Sequence, residues 1–151
     1  MSSVNPELVG REWPLPTTYL VGREKVREFA AAIGERSPAC HDPAAARGFG
    51  YPDVVAPVTF PVVITGPELD RLLADPAINV PLHRVLHGEQ RFEYSRPIVA
   101  GDELSVVSRL TAVRSMAGND FLTIAAEMSD AEGAHVVTAT AVIVLRPEVG
   151  E

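Results

Sequence analysis

Apolar side chains recur at two different periods along this chain, and the change between them divides it. From Arg23 to Ile33 the apolar residues Val26, Phe29, Ala30 and Ile33 fall at helical spacing among charged neighbours, and Gly34 follows as a terminator. That pattern predicts an amphipathic helix. Asp42 and Pro43 then supply a side-chain cap and a first-turn proline for a short alanine-rich helix, which Gly48 and Gly50 end within two turns. From Ala56 the run continues nearly all apolar to Gly66, which suits a helix enclosed by other structure. Pro61 fits its first turn, and Gly66-Pro67 is expected to break or kink it before a second piece with Leu69, Leu72 and Leu73.

Beyond Pro81 the period becomes two. Phe92 and Tyr94 alternate with charged residues, Leu104, Val106, Ser108 and Leu110 form one face of a further strand, and residues 121–128 and 136–145 read the same way. Polar turns at Gly101-Asp102, Ala117-Gly118-Asn119-Asp120 and Asp130-Ala131-Glu132-Gly133 suggest an antiparallel meander of four strands. A long sheet with one apolar face needs a cover, and the apolar helix after Ala56 can provide it. The expectation is an α+β protein with a single hot-dog fold, its central helix wrapped by a curled antiparallel sheet. Residues 1–151 are read as one domain, with 1–16 an extended lead-in.

Composition narrows the partners. The 151 residues are 46% apolar, enough for one sizeable core. The formal net charge of −7, with 13 Lys and Arg among 20 Asp and Glu, offers no basic surface for nucleic acid and disfavours a strongly acidic carrier surface unless Arg36, Arg47 or Arg84 makes a local positive patch. The lone Cys40 requires no oxidising compartment, and the N-terminus has no secretory pattern. No apolar stretch approaches the roughly 18 residues that span a bilayer. A cytoplasmic protein without membrane or nucleic-acid partners is expected. His83, His87 and His135 are read as solvated or satisfied side chains, and no spacing marks a metal site.

Two segments carry a more specific resemblance. Phe92 to Leu104, reading FEYSRPIVAGDEL, resembles the strand-turn-strand signature of MaoC-like hydratases and dehydratases, which act on (3R)-hydroxyacyl thioesters. Phe29 to Phe60 follows that family's succession of helix, Gly-acid-x-polar-Pro segment, alanine-rich turn and Ala-x-x-Thr helix entry. With His87-Gly88-Glu89-Gln90 leading into the strand, nearly the whole chain is similar to the small subgroup that includes non-catalytic subunits of mycobacterial (3R)-hydroxyacyl-ACP dehydratase.

Dehydration of such a thioester needs a base for the α-proton, an acid for the departing hydroxyl, and amide donors for the thioester oxygen. The resemblance implies that these come from an Asp-x-Asn-Pro-x-His motif and a His-Gly pair at the entry of the buried helix. Here the motif reads Glu35-Arg36-Ser37-Pro38-Ala39-Cys40, and the pair reads Pro57-Val58. Glu35 keeps a carboxylate, Ser37 replaces the Asn, Cys40 stands where the imidazole belongs, and Pro57 has no N–H to donate. No catalytic residue is therefore assigned. Val58, Thr59, Phe60 and Val63 are expected to contact substrate, with Val62 and Ile64 also placed to line an acyl tunnel or simply to fill the core.

What the resemblance implies is a subunit that binds an acyl-ACP or acyl-CoA thioester beside a hot-dog partner and uses no cofactor. The partner is either a catalytic MaoC-like protein or a second copy. Two rivals stay open: an active homodimer using Glu35 with His41, and a homodimer that binds acyl thioesters or other apolar ligands without chemistry.

Overall fold

The computed structural model describes residues 3–147. Its core is an antiparallel sheet packed on one long helix. Strand β1 (Glu12–Pro14) and the two-residue β2 (Tyr19–Leu20) lie in the N-terminal segment. Helices α1 (Arg23–Ala32), α2 (Pro43–Gly48) and α3 (Pro61–Leu73) follow, and then β3 (Val85–Tyr94), β4 (Glu103–Met116), β5 (Asn119–Ser129) and β6 (His135–Leu145). The stretch read as an extended lead-in contains a 3-10 turn at Pro6–Leu8 as well as β1, whose three residues pair with β4.

The strand order is β1-β4-β5-β6-β3, with β2 also on β4. This corrects the expected meander: β4, β5 and β6 are successive hairpins, but β3 pairs with β6 at the far edge of the sheet. Gly101-Asp102 therefore does not join neighbouring strands. The link from Ser95 to Asp102 crosses the end of the sheet instead. Arg96 holds it closed with two bonds to Asp102 at 2.8 and 3.1 Å, Asp102 also accepts the Val99 N–H, and Gly101 takes a left-handed φ of +96°.

Helix α3 also departs from expectation, because it runs unbroken through Gly66-Pro67. A proline usually disfavours helical backbone at the residue before it through a clash with that residue's Cβ, and Gly66 has none. One face of α3 is buried and joins two apolar clusters. Phe60 and Ile64 pack with Val26, Ile98, Leu104 and Met128 at one end; Leu72 and Leu73 pack with Leu110, Leu122, Ile143 and Leu145 at the other. The opposite face, with Gly66, Pro67 and Asp70, is open to solvent, so a single chain covers only one side of the helix.

Strand alternation is as read along β4, where Leu104, Val106, Ser108 and Leu110 all point inward. On β3 the register shifts between His87 and Glu89, leaving Gly88 as the extra residue of a bulge. A Cβ at Gly88 would lie 3.0 Å from the Val144 Cγ2 and 3.3 Å from the Val142 carbonyl oxygen. Gly88→Ala is accordingly expected to cost about 1–3 kcal/mol through forced displacement of β6, read as a lower urea midpoint with unchanged m-value.

Candidate functional site

The segment between α1 and α2 is shaped by local bonds. Gly34 adopts φ +73° and returns the chain at the end of α1, and Pro38–Cys40 forms a 3-10 turn. Asp42 caps α2 as the sequence suggests, accepting the Ala44 N–H at 2.9 Å. The approach to α3 is fixed from the other side. Ala56 N–H donates to the Ile98 carbonyl at 2.8 Å and Ala100 N–H donates to the Val54 carbonyl at 3.0 Å, so the Ser95–Asp102 link braces the helix entry.

These two segments meet around an open pocket of about 570 Å3. Glu35, Ser37 and Cys40 from one stretch and Pro57, Val58 and Thr59 from another, 17 or more positions away in sequence, all line it. Ile33, Phe49 and Tyr51 also line it; Ile33, Phe49 and Val58 are 50%, 67% and 71% exposed and give the mouth an apolar rim. Phe49 and Tyr51 lie in the loop after α2, where no periodicity marks them. Their position is set by that helix's end, including a Tyr51 N–H bond to the Ala46 carbonyl at 3.0 Å.

Glu35 is turned back on its own loop, where a carboxylate oxygen accepts the Ser37 N–H at 2.8 Å. Cys40 is buried, and burial, reinforced by the nearby Glu35 carboxylate, raises its thiol above the ordinary value. A thiol so placed stays protonated at neutral pH and is a poor base. His41 does not line the pocket; its Nε2 lies 2.6 Å from the Glu35 backbone carbonyl, to which it donates as the protonated nitrogen. The imidazole is thus bonded to the main chain of Glu35 and not to its carboxylate.

The expected substrate contacts divide. Val58 and Thr59 are on the pocket wall. Phe60 is fully buried, edge-on to Phe29 with ring centroids 5.6 Å apart, and Val63 packs against the same cluster. One turn farther along α3, Val62, Thr65, Gly66 and Leu69 line a second, apolar groove of about 190 Å3 between the helix and the sheet, where His87 and Gln90 of β3 and the inward Ser108, Ile124 and Ala139 form the other wall. His135 is engaged by Ser95 and Thr138, at 2.6 and 2.7 Å. Among the described residues no cluster of three or more His, Cys, Asp or Glu is placed to hold a metal ion, and no helix is long and apolar enough to cross a membrane.

Comparison with known proteins gives this geometry a context. Residues 7–139 match the family model described as FAS1-like, dehydratase domain region. A UPF0336 protein of Clavibacter michiganensis is 52% identical over 95% of this chain and 96% of its own length, and one of Streptomyces coelicolor is 47% identical over 95% and 96%. Among solved structures, the C-terminally truncated HadBC (3R-hydroxyacyl-ACP dehydratase) complex of Mycobacterium tuberculosis superposes with a TM-score of 0.83 at 27% identity, covering 91% of this chain and 96% of the matched one. A MaoC-like dehydratase also superposes with a TM-score of 0.83, at 39% identity; it covers 93% of this chain, which spans 42% of that longer protein. The (R)-hydratase of A. caviae, at 21% identity and a TM-score of 0.72, shares the hot-dog fold.

Proposed function

This chain belongs to the family of FAS1-like dehydratase domain regions, and on that premise we propose that it is a non-catalytic subunit of a (3R)-hydroxyacyl-thioester dehydratase or hydratase. It holds the acyl thioester, carried on acyl carrier protein or coenzyme A, and leaves proton transfer to a hot-dog partner with the complete Asp-x-Asn-Pro-x-His motif. One observation carries this reading: the positions that would form the acid-base site converge on a single pocket, yet the place of the motif imidazole is taken there by a buried thiol whose proton is held more tightly than usual. One oxygen of the Glu35 carboxylate accepts an N–H of its own loop, the thiol is protonated, and the nearest imidazole, that of His41, donates to the Glu35 carbonyl and does not line the pocket.

Two surfaces support a partner. Among the described residues strand β3 ends the sheet with one unpaired edge, the kind of edge that two hot-dog chains join into a continuous sheet. The apolar rim of Ile33, Phe49 and Val58 is surface that an adjoining subunit can cover. The two-chain HadBC complex, matched over nearly the full length of one chain, supports a heteromeric arrangement.

The test is a titration. With a limiting amount of a motif-complete partner and a 2-enoyl thioester, turnover rises as this chain is added and saturates at one copy per partner. Turnover by the partner that is unaffected by this chain at any ratio contradicts the proposal.

A further inference from the structure

We infer that Tyr94 is a positioning residue for the thioester-binding amides of this pocket: its hydroxyl fixes the Val58–Thr59 peptide so that the Thr59 N–H is presented to the carbonyl oxygen of a bound thioester. The inference rests on the thioester-binding role proposed above and adds to it the group that makes the carbonyl contact.

Tyr94 ends β3, opposite Val137 of β6, and its ring packs on the apolar cluster around Phe60 with the Phe92 ring 6.5 Å away. From that anchored position its hydroxyl donates to the Val58 carbonyl oxygen at 2.8 Å. Burial raises the phenol well above its ordinary value, so it remains a donor across the working pH range.

The described peptide bonds contain no cis form. In a trans peptide the carbonyl and the N–H of the same unit point in opposite directions. Fastening the Val58 oxygen to Tyr94 therefore sets the direction of the Thr59 N–H, on the side of the peptide away from the phenol.

Other groups of this turn are already engaged. Phe60 N–H donates to the Pro57 carbonyl at 2.9 Å, Val62 N–H to that of Thr59 at 3.1 Å, and Val63 N–H to that of Phe60 at 2.9 Å. Among the described residues the Val58 and Thr59 N–H groups have no protein acceptor, and both residues line the pocket. Pro57 can supply no donor here, so the amide function falls to the next two residues, and Tyr94 orients the peptide that joins them.

The experiment compares two ligands by calorimetry on the full chain: octanoyl-pantetheine and S-octyl-pantetheine, which has a methylene in place of the thioester carbonyl. The unmutated chain is expected to bind the thioester about fivefold more tightly, the worth of one ordinary hydrogen bond. Tyr94→Phe should bring that ratio near one by weakening the thioester alone, and its unchanged affinity for the thioether shows that the variant is folded. A second readout needs no variant: the Thr59 amide resonance moves on adding the thioester and stays in place on adding the thioether. A Tyr94→Phe chain that keeps the fivefold preference, or weakens both ligands alike, overturns the inference, as does a Thr59 resonance that ignores the thioester. An unmutated chain that binds neither ligand refutes the thioester reading itself, and this inference with it.

Discussion

Phe60→Ala lowers the unfolding free energy by about 3–5 kcal/mol, measured by urea denaturation. The side chain is fully buried at the start of α3, it meets Phe29 of α1 edge-on, and it lies in the cluster that also contains Ile98 of the Ser95–Asp102 link. Truncation removes the burial of a large aromatic side chain and leaves a cavity where these elements meet. The loss is expected to disturb the pocket as well, because α1 leads into Glu35 and the link braces Ala56. Phe60→Leu, which retains most of the volume, is expected to cost less than half as much. A destabilisation below about 1 kcal/mol for the alanine variant would show that the helix entry is not packed as described.

The second large effect divides the two subunits of the proposed enzyme. In the mixed complex, replacing the motif histidine of the catalytic partner by alanine should reduce turnover about 100-fold or more, the usual contribution of a positioned general base. Glu35→Gln, Cys40→Ala and His41→Ala on this chain should each change it less than twofold. The geometry gives the reason: Glu35 accepts a backbone N–H through its side chain, Cys40 is buried with its thiol raised, and His41, held by a backbone carbonyl, does not line the pocket. A turnover loss of 100-fold on changing any one of these three would place that residue in the chemistry.

Much of this architecture was legible because local physics determines it. The spacing of Val26 and Ala30, the Asp42 cap, the start of α3 at Pro61 and the inward face of β4 all follow from periods and caps within a few residues. The candidate site was legible through its motif positions: Glu35, Ser37, Cys40, Pro57, Val58 and Thr59 share one pocket.

What sequence could not reveal depends on distant partners. The pairing of β3 with β6 is a non-local choice, and the Gly101-Asp102 turn reads equally well as a hairpin or as part of a longer crossing. Unbroken helix at Gly66-Pro67 turns on the missing glycine Cβ, a detail that ordinary proline rules pass over. Phe49 and Tyr51 reach the pocket from an aperiodic loop, and Phe60, apolar and near the motif, is turned inward by the geometry of the helix entry. Tyr94 and Val58 are 36 positions apart in sequence, so their bond has no local signature.

The central claim is that this pocket holds a thioester but lacks its own base. The most direct test is the steady-state hydration of crotonyl-pantetheine by the purified chain alone at neutral pH. The expected rate is that of the uncatalysed reaction, unchanged by His41→Ala. Robust turnover by the isolated chain, abolished by His41→Ala, would contradict the claim and identify an active hydratase that works with Glu35 and His41.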